Sequence, residues 1–173
     1  SLLLRPISSS QDFLRSVPGL FIAQHAGGGK AEQIFLRGFD NDHGTDFAIQ
    51  VDDIGINLGS HAHGQGYADL HFLIPETIKT VDYFKGPHEI SIGDFAVSGA
   101  AKFTSKDMLH DNLVKLEYGQ YDFVRALAMV SLLDKKNFLT KNYETAYISI
   151  EGTFNNSFFD SKQNLRKLNT FSK

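Results

Sequence analysis

Strict alternation of apolar and polar residues marks two segments, 112–119 and 144–152, in the last part of this 173-residue chain. The apolar members are Val114, Leu116 and Tyr118 in the first segment and Ala146, Ile148 and Ile150 in the second. A period of two predicts β-strands with one apolar face. The longest apolar run, at 126–133, is far shorter than the roughly 20 residues that a membrane-spanning helix needs. Any membrane contact is therefore expected through strands.

Composition excludes some partners and chemistries. The 17 basic and 20 acidic residues give a net charge of −3, which provides no field for a nucleic-acid backbone, so we expect no nucleic acid as a partner. The absence of cysteine removes disulfides and thiolate metal sites. Because the chain starts at Ser1 without an apolar leader, we expect a trimmed or processed polypeptide.

The first two-thirds of the chain predict short, mixed elements. Residues 10–17 place apolar side chains on one face and predict a short amphipathic helix. Residues 32–40 and 47–57 alternate like strands on either side of a polar loop, and they predict a β-hairpin with a polar apex. Residues 58–70 are rich in glycine and polar groups and predict a long structured loop.

Six stretches, taken together in their order and spacing, resemble the family of TonB-dependent outer-membrane receptors. They are LRSVPGLFI (14–22), IFLRGFD (34–40), AIQVDDIGIN (48–57), VDYFKGP (81–87), GDFAVSGAAKF (93–103) and FNNSFFDSKQNLRKLNTFSK (154–173). The resemblance implies an α+β fold. Residues 1–108 would form a plug domain with a small mixed β-sheet and short helices, and residues 109–173 the first antiparallel strands of an incomplete transmembrane β-barrel.

Two departures from the family pattern affect these expectations. The family usually has glycine after the aspartate of the AIQVDD stretch and proline two residues later, where this chain has Asp53 and Gly55, so we expect a reshaped turn. The family closes a barrel of about 22 strands, whereas residues 109–173 suffice for only two or three strands of about 9–11 residues. We therefore expect a piece of a longer protein or the product of a truncated gene.

The function implied by the resemblance is energised uptake of a scarce nutrient, such as an iron chelate (siderophore) or another metal chelate, across the bacterial outer membrane. The implied partners are the TonB energy-transducing protein, a small-molecule substrate and outer-membrane lipid, with no cofactor. The residues themselves predict no enzyme, because the chain has no glycine-flanked nucleophilic serine, no phosphate-binding Lys-Ser/Thr loop and no His-Glu-x-x-His helix.

Three polar segments, 25–30, 40–46 and 60–69, supply the candidate substrate-binding residues. The resemblance implies that plug loops of this kind point outward and meet the substrate. The candidates are His25, Asp42, His43, His61, His63, Gln65 and Tyr67. The alternative for each of them is a polar loop residue that is solvated or hydrogen-bonded to a neighbouring loop.

His61 and His63 form a His-x-His pair that could ligate zinc, copper or nickel, with His43 or His71 as a third ligand. This pair leaves open a second function, a soluble metal-binding module built around the histidine loop. A third possibility is a truncated, non-functional receptor remnant.

Arg37 and Lys85 are similar to basic plug positions of the family, which pair with carboxylates on the inner wall of the barrel. The resemblance implies that they lock the plug in place. The alternative is that both are ordinary surface charges at strand ends.

Overall fold

The structure is a computed structural model with two compact units, residues 1–105 and 106–173. It describes residues 9–24, 29–41, 45–61, 66–94, 96–136 and 143–173. None of the helices within these ranges is long and apolar enough to cross a membrane.

The first unit contains two small sheets. Its strands are β1 (Leu20–Ala23), β2 (Gln33–Leu36), β3 (Phe39–Asp40), β4 (Phe47–Val51), β5 (Ile54–Gly55), β6 (Ile78–Lys85) and β7 (Gly99–Ser105). The first sheet has the order β1-β2-β3 and the second the order β5-β4-β7-β6. The pairing of β4 with β7 is parallel and all other pairings are antiparallel. Three short 3₁₀ helices at Ser10–Ser16, Pro75–Thr77 and Ile90–Ile92 accompany the described sheets.

The predicted helix at 10–17 is present as the 3₁₀ helix Ser10–Ser16, called the N-terminal helix below. The backbone N–H of Ser9 donates a hydrogen bond to Asp12 Oδ2 at 3.0 Å, which fixes its start. The apolar residues Phe13, Leu14 and Val17 are buried, and Phe13 packs edge-to-face on Phe103 of β7 with ring centroids 6.2 Å apart. The helix is therefore held by the core of the first unit.

The predicted hairpin between 32–40 and 47–57 is wrong. Arg37 and Gly38 have φ angles of 56° and 81° and form a two-residue turn, so that the first segment folds back on itself as β2 and β3. β4 instead pairs with β5 on one side and β7 on the other. Because alternation records which face of a strand is buried but not which strand lies beside it, the pattern could not distinguish these arrangements.

The turn between β4 and β5 has a regular two-residue geometry, and its reshaping relative to the family stays a prediction. Asp52 and Asp53 have φ angles of 48° and 65°, and Val51 pairs directly with Ile54. Two central residues with positive φ define a type I′ turn, which favours glycine at its second position. The Asp52 carboxylate accepts hydrogen bonds from Ser105 N at 2.8 Å and Ser105 Oγ at 2.6 Å, tying this turn to the end of β7.

The second unit is an antiparallel sheet with the order β8-β9-β10-β11. Its strands are β8 (Leu113–Tyr118), β9 (Val124–Lys136), β10 (Tyr143–Asn155) and β11 (Leu165–Ser172). These are four strands where two or three were predicted. The difference arises because β8 has only 6 residues and β11 only 8, so both use less chain than a full membrane-spanning strand.

This sheet buries its polar face and exposes its apolar face. Val114, Leu116 and Tyr118 are 77%, 76% and 88% exposed, whereas Glu151 and Ser149 are fully buried. The two faces are those that the alternation predicted. Such a distribution is the reverse of a water-soluble sheet, in which the apolar face packs on the core.

An ion-pair network crosses the polar face over all four strands of the second unit. Arg125 Nε donates to Glu151 Oε2 at 2.7 Å, and Arg125 Nη1 donates to Glu117 Oε2 at 2.6 Å. Lys115 lies 3.0 Å from Glu117 Oε1, and Lys167 lies 2.7 Å from Glu151 Oε1. Because Arg125 and Glu151 are almost fully buried, each depends on the other for compensation of its charge.

Glu151→Ala is expected to lower the free energy of unfolding by about 3–5 kcal/mol, because it leaves Arg125 buried without its main carboxylate. Urea denaturation of the 173-residue chain in detergent measures this loss. Lys162→Ala is the control, since Lys162 is 73% exposed and 4.0 Å from Asp122, and it should cost less than about 1 kcal/mol. Equal losses in the two variants would contradict a stabilising role for the network.

Asp53→Gly is expected to raise the free energy of unfolding by up to about 1 kcal/mol, because glycine adopts a positive φ without steric cost. The ion pair lost with Lys102 is worth little, since the Asp53 side chain is 85% exposed. Asp52→Gly in the same turn should instead cost about 1–3 kcal/mol through the lost bonds to Ser105. Urea denaturation compares the two, and stabilisation by both would show that the Asp52 carboxylate contributes nothing.

Candidate functional site

Two of the three polar segments leave the first sheet at the same end. Ala23 pairs with Gln33, so the segment that contains 25–30 connects β1 and β2 at this end. β3 runs antiparallel to β2, and Asn41 N donates to Ile34 O at 2.8 Å as the chain returns towards that end. The next segment, 40–46, therefore starts beside the first one.

The third segment starts beside the entry into β4. Asn57 follows β5, and its side chain accepts from Ile49 N at 2.7 Å and donates to Phe47 O at 2.9 Å, so the chain has returned to the start of β4. Leu58 and Tyr67 then form an isolated antiparallel bridge. Across it, Tyr67 Oη accepts a hydrogen bond from Ala31 N at 2.9 Å, which links the third segment to the end of the first.

His61 and Tyr67 are brought together by this arrangement. Their rings stack with centroids 4.3 Å apart and an interplanar angle of 14°. His61 is exposed and Tyr67 is half-buried, with its hydroxyl held by Ala31. The result is an aromatic pair with a fixed inner ring and an accessible outer ring, which can offer stacking and imidazole hydrogen bonds to a ligand.

The remaining substrate-binding candidates lie outside the described residues. They are His25, Asp42, His43, His63 and Gln65. The metal pair His61 and His63 stays a prediction for the same reason. Within the described residues no group of three or more His, Cys, Asp or Glu side chains is arranged to hold a metal ion.

Arg37 lies beside Gly86, the residue that follows Lys85. A Cβ atom on Gly86 would lie 2.6 Å from Arg37 Nη1 and 3.3 Å from the His88 ring, so the guanidinium occupies the space that glycine leaves. Arg37, Lys85 and His88 are all exposed. We call these three residues the basic corner. Sequence reasoning missed His88, whose only signal was its position two residues after Gly86.

A further polar cluster surrounds the start of β2. His71 Nδ1 lies 2.6 Å from Asp69 Oδ1 and 3.1 Å from Gln11 Nε2, so this ring is already engaged. Burial raises the pKa of the nearby Glu32 above its ordinary value, and the charge of Arg15 opposes that shift only in part. No sequence pattern joins these residues, because they come from three separate segments.

Comparison with known proteins places the first unit in a family. A family model described as the TonB-dependent receptor plug domain matches residues 2–100. The chain is also similar to a solved structure of the pyoverdine outer membrane receptor FpvA from Pseudomonas aeruginosa PAO1 bound to pyoverdine. Their TM-score is 0.60 at 18% sequence identity, over 87% of this chain and 20% of that chain.

Two other structures from Pseudomonas aeruginosa show the same likeness. One is FpvA bound to a heterologous pyoverdine, with a TM-score of 0.60 and 18% identity over 88% of this chain and 19% of that chain. The other is the ferripyoverdine receptor bound to ferripyoverdine, with a TM-score of 0.58, the same identity and the same coverage. The chain thus spans about a fifth of the length of these receptors.

These comparisons confirm the predicted α+β class, with a plug domain followed by antiparallel strands of an incomplete barrel. They also confirm the bacterial outer membrane as the location. The plug match covers more than half of the sequence, and the chain belongs to the family of TonB-dependent receptors.

Proposed function

We propose that this chain is the plug and the first barrel strands of an outer-membrane receptor that takes up an iron chelate with energy supplied through TonB. The receptor would act as a transporter and not as an enzyme. The observation that carries the proposal is the order of two architectures in one chain. A plug-family fold is followed at once by a sheet with a buried polar face and an exposed apolar face.

The apolar face of the second unit supports contact with outer-membrane lipid. Its exposed members include Val114, Leu116, Tyr118, Val130, Leu132, Ile150 and Leu168. A continuous apolar surface of this kind is unfavourable in water and is what a barrel presents to hydrocarbon. The charged residues of the ion-pair network, which include Arg125, Glu117, Glu151 and Lys167, lie on the opposite face, as they do in a barrel with a polar interior.

The aromatic pair of His61 and Tyr67 supports recognition of a chelate. Organic chelators of iron combine polar ligand groups with planar rings or amides, and stacked rings with an accessible imidazole suit both. The three similar structures hold pyoverdine or ferripyoverdine, which favours an iron chelate as the cargo class. The other candidates around this pair would complete the site: His25, Asp42, His43, His63 and Gln65.

The basic corner supports a lock between plug and barrel. Arg37 adopts φ = 56°, a conformation that costs a non-glycine residue about 1–2 kcal/mol. The folded chain therefore keeps an arginine at this turn position although it lowers stability. Gly86 makes room for it beside Lys85. Carboxylates on the barrel wall would pair with these cations, and tension from TonB on the plug would break the pairs.

Deletion of the parent gene tests the proposal. The deletion strain is grown under iron limitation with single ferric chelates, with and without the gene restored, and in cells with and without TonB. We expect growth on at least one chelate to require both the gene and TonB. Uptake that is independent of TonB, or a defect restricted to nickel, zinc or cobalamin, would contradict the energised uptake of iron.

Tyr67→Ala is expected to weaken chelate binding by roughly tenfold, because it removes the ring on which His61 stacks. Tyr67→Phe keeps the ring and loses the bond from Ala31 N, so the affinity should fall less. Chelate affinity measured by fluorescence quenching of the complete receptor provides the comparison. Tyr83→Ala, at an exposed tyrosine on β6, is the control, and an equal loss in that variant would argue against a specific role for Tyr67.

Gly86→Ala is expected to lower the free energy of unfolding by about 1–3 kcal/mol. The new Cβ would meet Arg37 Nη1 at 2.6 Å, and φ = 82° is unfavourable for alanine. Gly19→Ala is the matched control, since Gly19 has the same φ of 82° and no atom lies within 4 Å of its Cβ position. Urea denaturation distinguishes the two variants. If both behave alike, Gly86 is not needed to accommodate the guanidinium.

A further inference from the structure

The exposed apolar face of the second unit ends at a row of four residues, one from each strand. Tyr118 of β8 pairs with Val124 of β9, Val124 pairs with Phe154 of β10, and Phe154 pairs with Arg166 of β11. Residues directly opposite one another project from the same face of a sheet. Tyr118 and Arg166 are both exposed, so an arginine lies on the face that is otherwise apolar. We call these four residues the border row.

The length of the apolar face shows where the border row lies in a membrane. Beyond this row, the residues that β9 presents on this face are apolar as far as Leu133, and Asp134 and Lys135 follow. The stretch from Val124 to Leu133 rises roughly 30 Å along the strand, and a tilt of about 35–45° reduces this to roughly 23 Å along the membrane normal. Because outer-membrane barrels have an apolar band of about 25 Å, the border row lies at the level of the lipid headgroups.

Arg166 is oriented by an aromatic ring and not by a carboxylate. Its Cζ atom lies 6.0 Å from the centroid of the Phe154 ring, which is a cation–π geometry. Among the residues that the structure describes, Arg166 forms no ion pair, whereas Arg125 and Lys167 on the opposite face both contact carboxylates. A planar guanidinium that is held in place but not neutralised can donate two parallel hydrogen bonds to a phosphate.

Exposed aromatic side chains surround the same end of the sheet. Tyr121, in the turn between β8 and β9, and Phe158, in the connection between β10 and β11, contact edge-to-face with ring centroids 6.4 Å apart. The ring of Phe159 lies 4.4 Å from that of Phe158. Aromatic residues are enriched where a membrane protein passes from hydrocarbon to headgroups. They independently indicate the headgroup level, at which an arginine on the lipid-facing surface costs little.

We propose that Arg166 binds the phosphate of an anionic lipid headgroup, while the acyl chains of that lipid lie on the apolar face. The occupant is a lipid and not a free anion, because Leu168 is exposed on the same face, next to Arg166 along β11, and offers apolar contact that a free anion cannot use. A headgroup with net negative charge is favoured, since no protein carboxylate among the described residues neutralises Arg166. The inference rests on the proposed contact of this face with outer-membrane lipid and names the lipid chemistry recognised there.

Photocrosslinking of the complete receptor in detergent tests this site. The probe is a phosphatidylglycerol that carries a diazirine close to its headgroup, and peptide mass spectrometry locates the crosslinks. We expect saturable crosslinks within residues 154–172. Unlabelled phosphatidylglycerol should displace the probe at lower concentrations than phosphatidylcholine of the same chain length, because the choline group offsets the phosphate charge. Inorganic phosphate should not displace the probe.

Three variants assign the binding to the guanidinium. Arg166→Gln should raise the probe concentration for half-maximal crosslinking roughly fivefold, the contribution of one basic residue at an anionic membrane surface. Arg166→Lys keeps the charge but loses the planar donor pair, so its increase should be smaller. Lys162→Gln is the matched control, because Lys162 is an exposed cation at the same end of the sheet with Asp122 4.0 Å away. Its half-maximal concentration should stay close to that of wild type.

An unchanged half-maximal concentration in Arg166→Gln, an equal change in Lys162→Gln, or displacement of the probe by inorganic phosphate would overturn the proposal. A nitroxide label at Ile150→Cys, in the receptor reconstituted in a bilayer, tests the underlying lipid contact separately. This label should be more accessible to oxygen than to a water-soluble nickel chelate, because Ile150 lies on the apolar face. A label exposed to water would contradict the lipid contact itself. A label in lipid together with unchanged crosslinking in Arg166→Gln would contradict only the role of Arg166.

Discussion

The parallel pairing of β4 with β7 is the contact on which the first unit depends. It joins residues about fifty positions apart, with Ile49 opposite Ala101 and both fully buried. On the other side of β7, a small residue lets β6 approach closely. A Cβ at Gly99 would lie 2.4 Å from the carbonyl oxygen of Phe84, so a larger residue at the start of β7 would push β6 away. A parallel pair needs a long crossover connection, and here that connection carries the third polar segment and β6.

The same pairing positions the features that bear on function. It places Ser105, at the end of β7, beside the turn at Asp52, so the last residue of the first unit is fixed by two hydrogen bonds. On the other side of β7, the pairing with β6 sets Lys85 opposite Gly99, with Gly86 next in the chain beside Arg37 from the other sheet. The basic corner thus follows from the strand arrangement around β7.

Sequence patterns predicted the secondary-structure elements better than they predicted which strands pair with one another. The helix at 10–17 and the faces of β8 and β10 follow from periodicity, because local burial repeats with the geometry of each element. The hairpin prediction failed at Arg37, since arginine is not a residue that turn chemistry favours at a positive φ. Non-local pairing leaves no local signal, so no sequence pattern predicted the β4–β7 contact.

The candidate site shows the same limit. The bridge between Leu58 and Tyr67 brings His61 onto the tyrosine ring, and no spacing rule for a polar loop encodes that contact. The polar cluster at the start of β2 was missed for a similar reason: Gln11, Glu32 and His71 lie far apart in sequence and have ordinary side chains. Its signal is an unsatisfied buried oxygen, which becomes visible only in three dimensions.

In the second unit the apolar face is exposed, so the register of its strands must be specified on the polar face. A strand that slips by one residue exchanges its two faces, whereas a slip by two residues returns apolar side chains to the exposed face, which therefore gives weak discrimination between those registers. The network around Arg125 supplies that discrimination, because each strand contributes at least one charged group to it. Glu151 on β10 joins Arg125 of β9 to Lys167 of β11, so a slip at either interface would bury an uncompensated charge. Ion pairs on the polar face thus specify the strand register of this sheet, as apolar packing does in water-soluble sheets.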